Sequence, residues 1–416
     1  MKNLILQMPK MIMGEELEAA MLSLPPYDPA ICQADAATRL MALNDIMGIY
    51  VPSPMSYEIY SKIYLAMLHS LKKKQTIDAV KQGNQNYRRL QGLSYNSVLG
   101  GADSFSIIGP SGIGKSTALA KSISLAGGED IIITREPFAK IIPCINVQCP
   151  HDCSVKGLLL EILLQVDTIA NTQFHQHEVR NRASIDNLIV TVSQVALNNI
   201  LLIVIDECQN VCRNQKTGGS LIAALTQLIN SSSVSICMVG LPQTEDFFSQ
   251  EMQLARRSVG LSYTALPYDS YFIRFCETLF SYQYVAKRTV LTPELTELLF
   301  ECSGGVIAIL VSLVIEAEQI AILSGIEELS KETILMAYQN RLKNVQDFVH
   351  VNGRQRSQTS TVSNIKGVNN TGRKIFPEEN ASEVSFGELT AQIGGKDTDL
   401  ISKLVSQGIL VEEVAV

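Results

Sequence analysis

The chain has 416 residues, 46% of them hydrophobic, and carries 34 Lys and Arg against 41 Asp and Glu, a formal net charge of −7. That length suits two or three domains with real cores. The acidic balance excludes a generally basic nucleic-acid coat, so any contact with DNA has to come from a local patch. No secretory or transit signal opens the sequence. The longest apolar run, 306–315, is broken by Ser312 and stopped by Glu316, which is too short for a bilayer span. Nine cysteines, an odd number, fit reduced buried thiols better than a disulfide framework. These features predict a cytoplasmic protein with no membrane association.

Residues 1–95 read as a helical N-terminal extension. Tyr60, Ile63, Tyr64, Met67, Leu68 and Leu71 fall at helical spacing, and Lys72 to Lys74 follow at the favourable C-terminal end. The stripe is expected to pack on the next domain or to dock a partner. An α/β core over 96–266 comes next. It begins with "SFSIIGPSGIGKSTALAKSIS", in which a β-prone run leads into Gly109-Pro110-Ser111-Gly112-Ile113-Gly114-Lys115-Ser116 and Thr117 continues as helix. This fits G-x-x-x-x-G-K-[ST], whose glycines let successive N–H groups converge on nucleotide phosphates at a helix N-terminus. Lys115 is expected to reach the β and γ phosphates of ATP, and the Ser116 hydroxyl to ligate Mg²⁺.

"KIIPCINVQ" reads as the next strand, and the helix "SVKGLLLEILLQVD" opens at Ser154. The cluster Cys144, Cys149, His151 and Cys153 has no paired C-x-x-C spacing, and no metal site is expected there. A polar stretch, 171–182, precedes another helix and then "NNILLIVIDECQN". Its apolar run suits a strand buried on both faces, with Asp206 and Glu207 at the C-terminal edge where ligands bind open α/β sheets. Asp206 is placed to hold Mg²⁺ through water, and Glu207 to orient the attacking water. "SSVSICMVGLP" and "RRSVGLSYTALPY" supply the last strands. The alternation predicts a parallel sheet covered by helices.

Residues 267–345 lack a strand pattern. Helices are expected near 269–283, 306–322 and 330–343, together with one that starts at Thr292-Pro293 and ends at Gly304-Gly305. A polar, basic segment, 346–384, reads as a flexible linker, and 385–416 recovers helical spacing as a partner-binding segment.

"IYVPSP", "GPSGIGKST", "IIPCINVQCPHDCSVKGLLLEILLQVD", "LLIVIDECQNV", "MVGLPQTEDFF", "LARRS" and "LFECSGGVIAILVSLVIEA", in this order, resemble AAA+ ATPases. Within them they resemble the transposition regulators TnsC, TniB and MuB, and the middle block looks most like TnsC. The resemblance implies an AAA+ core with strand order 5-1-4-3-2, a helical lid and ATP hydrolysis, which the two departures named below make slow. It also implies homo-oligomers on duplex DNA, either heptameric rings or helical, hexamer-like filaments, that link a target-selection protein to the transposase. It makes Arg256 or Arg257 the arginine finger lent to a neighbouring subunit, and directs attention to Lys156, Arg180 and Arg182 as DNA contacts. The chain departs from the family pattern twice. Gln243 or Thr244 has to stand in for the sensor after the fourth strand, and Val306 to Ile309 replace a second-sensor arginine. A non-hydrolysing nucleotide-dependent scaffold, or an AAA+ replication-initiator or signalling ATPase, is the alternative.

Overall fold

The structure is a computed structural model that describes residues 8–93, 103–135, 138–210, 215–245 and 260–343. Two short helices, α1 (Glu15–Met21) and α2 (Ala36–Ala42), open it and lead to α3 (Pro54–Lys74) and α4 (Ile77–Leu90). Helix α3 starts where the sequence punctuates it. Ser53 caps it, Ser56 closes a reciprocal capping box, and Pro54 takes the first turn, where its missing N–H costs nothing. Lys74 in its last turn donates to the carbonyls of Ala196 (2.5 Å), Leu197 (2.8 Å) and Ser232 (3.4 Å). Two further helices therefore end on one ammonium, which suits their partial negative charge.

The α/β core then runs β1 (Ser104–Ile108), α5 (Lys115–Leu125), β2 (Ile132–Arg135), β3 (Phe138–Gln148), α6 (Val155–Ala170), α7 (Phe174–Arg180), α8 (Ile185–Asn199), β4 (Ile200–Asp206), α9 (Gln215–Ser232), β5 (Ser235–Gly240) and β6 (Leu261–Ser262). The six strands lie in the order β2-β3-β4-β5-β1-β6. All neighbours pair in parallel except β2, which is antiparallel to β3. Counted along the chain, the five parallel strands follow the expected 5-1-4-3-2. The difference is the added edge strand β2, a short hairpin partner that the sequence reading did not contain. The stretch 171–182 is likewise not all irregular. Asp167 accepts from the N–H groups of Phe174 and His175, both at 2.8 Å, and so starts the single exposed turn pair of α7.

Side chains alternate across β4 as a doubly covered strand requires. Ile203 and Ile205 join a core with α6, α8 and α9, while Leu202 and Val204 join one with α3 and α5 on the other face. Tyr60, Ile63 and Met67 of the expected stripe are fully buried in that second core. The core thus continues across the boundary expected near residue 95. All eight described cysteines are buried and free.

The lid consists of α10 (Ser270–Ser281), α11 (Pro293–Ser303), α12 (Ile307–Ser324) and α13 (Lys331–Asn340). Thr292 caps α11 and Gly304 ends it with a left-handed residue. Helix α12 matches the one expected near 306–322 and extends past Glu316, where the apolar run ends, to Ser324. By length and composition it is the one described helix that could cross a membrane. Here its inner face is the centre of the lid core, with Leu310, Leu313, Val314, Ala317 and Ala321 fully buried. Leu43, Ile46, Ile49 and Val51 of the N-terminal segment bury into the same core. Arg39 clamps that segment to the lid through a two-pronged pair with Glu327 (2.5 and 2.8 Å) and a bond to the Tyr284 carbonyl (3.1 Å).

Glu318, on the buried face of α12, accepts from the Tyr284 N–H at 2.7 Å, and its second oxygen has no partner. Burial pushes its carboxyl up to about 8 from 4.5. A carboxyl raised in the folded state contributes stability that is complete below its unfolded value and is lost as pH climbs through the folded one. The melting temperature should therefore fall between pH 5 and pH 8.5. Glu318→Gln, which keeps the acceptor and cannot ionise, should flatten that fall and gain about 2 kcal/mol at pH 8.5 relative to wild type. Thermal melts of both proteins across this range check it. Parallel pH curves would show that Glu318 is not the group responsible.

Candidate functional site

One cavity of about 570 Å³ collects most of the residues singled out by pattern. The loop from Ser111 to Thr117, Asp206 and Glu207 line it together, although the acidic pair comes from a different strand. The sheet order explains this. Strand β1 ends in the loop, β4 ends in the acidic pair, and β5 lies between them and ends at Gly240, which also lines the cavity. Three adjacent parallel strands thus deliver their C-terminal ends to one side.

The loop has the backbone its sequence demands. Gly112 and Gly114 take φ values of 81° and 93°, the left-handed region that side chains resist. A Cβ on Gly112 would also stand 3.0 Å from both Ala308 and Val306 of the lid. Lys115 is nine-tenths buried, and its Nζ donates to the carbonyls of Gly109 and Pro110, both at 2.7 Å. Burial lowers its ammonium below the ordinary value, while the charges of Asp206 and Glu207 oppose that shift. The lysine therefore sits within the field of the acidic pair.

Asp206 accepts from the Glu207 N–H at 2.8 Å through Oδ1. A hydroxyl at Ser116 and a carboxylate at Asp206 on one cavity wall form a hard-oxygen donor set that fits Mg²⁺. Glu207 has φ 58°, an uncommon backbone for a residue with a side chain, and its carboxylate accepts from the Gln209 amide.

The cavity has two walls that the motifs did not indicate. One is the N-terminal segment, where Ile49, Tyr50, Val51 and Ser53 face the loop. The segment is held there by backbone bonds between Tyr50 and Ser23 (2.8 and 2.9 Å) and by the Tyr271 hydroxyl on the Val51 carbonyl (2.9 Å). The other is the lid, through Tyr271, Phe275, Ile307 and Ser312. Lys121, one turn beyond the motif, lies 5.0 Å from the centre of the Tyr50 ring, which makes it the second lysine among the described lining residues. The only sequence signal for this wall was "IYVPSP", which periodicity alone could not place at a site.

Other expected residues fall elsewhere. Thr244 does not line the cavity: it is fully buried, and its hydroxyl donates to the Leu241 carbonyl, so it secures the turn after β5. Gln243 is also absent from the described lining, whereas Gln209 is present. Lys156 lies in the first turn of α6, Arg180 ends α7, and Arg182 occupies the following turn with φ 50°; all three are exposed. They belong to separate elements outside the cavity. Arg256, Arg257 and the segments 346–384 and 385–416 lie outside the described residues.

A family model described as "Bacterial TniB protein" matches residues 67–263. No curated protein matches the sequence. Among solved structures, the Aeropyrum pernix ORC1 protein in complex with DNA is similar with a TM-score of 0.39 and 16% identity, over 80% of this chain and 82% of that one. The Aeropyrum pernix ORC2 protein, solved with ADPNP and ADP, gives 0.40 and 14% over 80% and 85%. Domain III of the Thermotoga maritima replication initiation protein DnaA gives 0.35 and 13% over 76% and 99%. Likenesses this distant carry no argument about function. The matched segment holds the phosphate loop, the acidic pair and the whole parallel sheet, so the likeness to TniB covers the part of the chain that builds the cavity.

Proposed function

We propose that this chain is an ATP-dependent regulator of DNA transposition that assembles on target duplex DNA and links a target-selection protein to the transposase, with slow ATP hydrolysis controlling the assembly. The observation that carries the reading is the convergence of the phosphate loop, Asp206 and Glu207 on one cavity within a TniB-family segment. ATP would enter with its phosphates on the loop N–H groups and Lys115, and with its base toward the apolar wall between Tyr50 and the lid. Ser116 and Asp206 would hold Mg²⁺, which supplies charge neutralisation on the phosphates. Glu207 orients and polarises the attacking water. Arg256 or Arg257 serves as the finger across a subunit boundary, so that assembly and hydrolysis require the same contact.

DNA binding falls to Lys156, Arg180 and Arg182, exposed cations on an acidic protein. Contacts of that type read phosphate and not sequence, which suits a protein whose target is chosen by another component. Glu207 favours hydrolysis over a purely scaffolding role.

Sedimentation or negative-stain imaging with duplex DNA tests the proposal. Long assemblies are expected with a non-hydrolysable ATP analogue and not with ADP; equal assembly in both, or none in either, would overturn it. Lys115→Ala should lower ATP affinity by ~100-fold and abolish assembly, because the loop loses its only side-chain cation. Glu207→Gln should bind ATP and DNA normally yet hydrolyse about 100-fold more slowly. Arg256→Ala with Arg257→Ala should spare nucleotide binding by the monomer and abolish both hydrolysis and assembly. Lys156→Ala should weaken DNA binding and reduce its salt dependence, with ATP chemistry retained.

A further inference from the structure

Glu207 is followed by a turn that is fastened to a second turn, and the fastening residues have no role in the reading above. The first turn runs from Asp206 to Asn210, at the end of β4. The second runs from Cys149 to Ser154, between β3 and α6. Three hydrogen bonds join them. The Cys149 N–H donates to the Asp206 carbonyl at 2.8 Å. The Asn210 side-chain amide donates to the Cys149 carbonyl at 3.0 Å. The Cys153 thiol donates to the Asn210 carbonyl at 3.0 Å. Asn210 is thus held at both its side chain and its backbone, and its own N–H donates to the Glu207 carbonyl at 3.1 Å.

Both turns also contain a non-glycine residue in the left-handed region, Glu207 at φ 58° and Cys153 at φ 54°. Such backbones persist only where the surroundings over-determine them, and the bonds to Asn210 are those surroundings. Within the first turn, the Gln209 amide donates to the Glu207 carboxylate, and both residues line the cavity. An exposed carboxylate on a turn has several rotamers open to it. The amide selects the one that stays in the cavity.

We propose that Gln209 and Asn210 are positioning residues for Glu207, and that through Asn210 the turn opening α6 sets the rate of ATP hydrolysis. This rests on Glu207 acting on the attacking water. Gln209 holds the carboxylate and Asn210 holds the backbone that carries it. Lys156, three residues beyond Cys153 in the first turn of α6, is exposed and is one of the cations proposed above to meet DNA. A ligand pulling on the first turn of α6 therefore acts on Glu207 through Cys149, Cys153 and Asn210.

The test is a double-mutant cycle on steady-state ATP hydrolysis by the full chain, with ATP affinity and thermal melting measured alongside. Gln209→Met removes the donor at nearly constant length, and Asn210→Ala removes the tie to Cys149. Each should lower kcat about tenfold and leave KM within about twofold. In a Glu207→Gln background neither should cause a further loss, because the group being positioned is already gone. A merely structural role would move KM and melting temperature, and would give losses that multiply in the double variants. Multiplying losses, or unchanged kcat in Gln209→Met, overturn the proposal while leaving the site reading intact. A wild-type protein without turnover, or a Glu207→Gln variant with normal turnover, overturns the site reading and this inference with it.

Discussion

The loop from Gly109 to Ser116 is wedged between the sheet and the lid, and the shape of the cavity follows from that contact. The Ala308 N–H donates to the Gly112 carbonyl at 2.9 Å, so the first turn of α12 is bonded directly to the loop. On the other side the Gly109 N–H reaches the Gly240 carbonyl at 3.3 Å, tying the loop's start to the end of β5. A phosphate cradle works only if its N–H groups are fixed before the anion arrives, since ordering them afterwards would consume the binding free energy. Here the cradle is fixed from both sides. Any change in the loop's conformation is also a change at the root of the lid.

The N-terminal segment extends this coupling. Residues near Tyr50 line the cavity, while Leu43, Ile46 and Val51 lie in the lid core and α3 packs under the sheet. One stretch of chain is thus bonded to lid, cavity and sheet in turn, with the Arg39–Glu327 pair fastening its outer end. Arg39 is buried while Glu327 stays partly exposed, and with the apolar contacts of Leu43, Ile46 and Val51 the pair makes the segment an integral wall of the cavity.

The sequence made the chemistry more legible than its surroundings. The phosphate loop and the acidic pair announce themselves because their function fixes residue identity at fixed spacing, and the flanking β-prone runs assign them to strand ends. Strands alternating with helices predicted a parallel sheet, and the strand order came from the resemblance to AAA+ ATPases. The edge strand β2 escaped because four residues carry too little periodicity, even with Gly127-Gly128 before them and Pro137 after. Helix α7 escaped because none of its residues is buried, so there is no apolar stripe to detect. Thr244 and Gln209 show a different limit. Both follow strand ends at plausible offsets for a polar group near the γ phosphate, yet one turns inward to cap its own turn and the other faces the cavity. Offset along the chain does not determine which way a turn directs its side chains.

Lys74 shows how the same framework reaches the far edge of the core. Its ammonium gathers the last carbonyls of α8 and α9, and α8 runs directly into β4, whose other end carries Asp206 and Glu207. Strand β4 is buried along its whole apolar length, so it cannot slide without reversing the alternation that fills two cores. The acidic pair therefore has a rigid root, and what freedom remains near it lies in the turn beyond, where Glu207 adopts a left-handed backbone. Asp206 belongs to the strand and Glu207 to the turn, and the segment between β3 and α6 is bonded to both ends of that turn, at the Asp206 carbonyl and at Asn210.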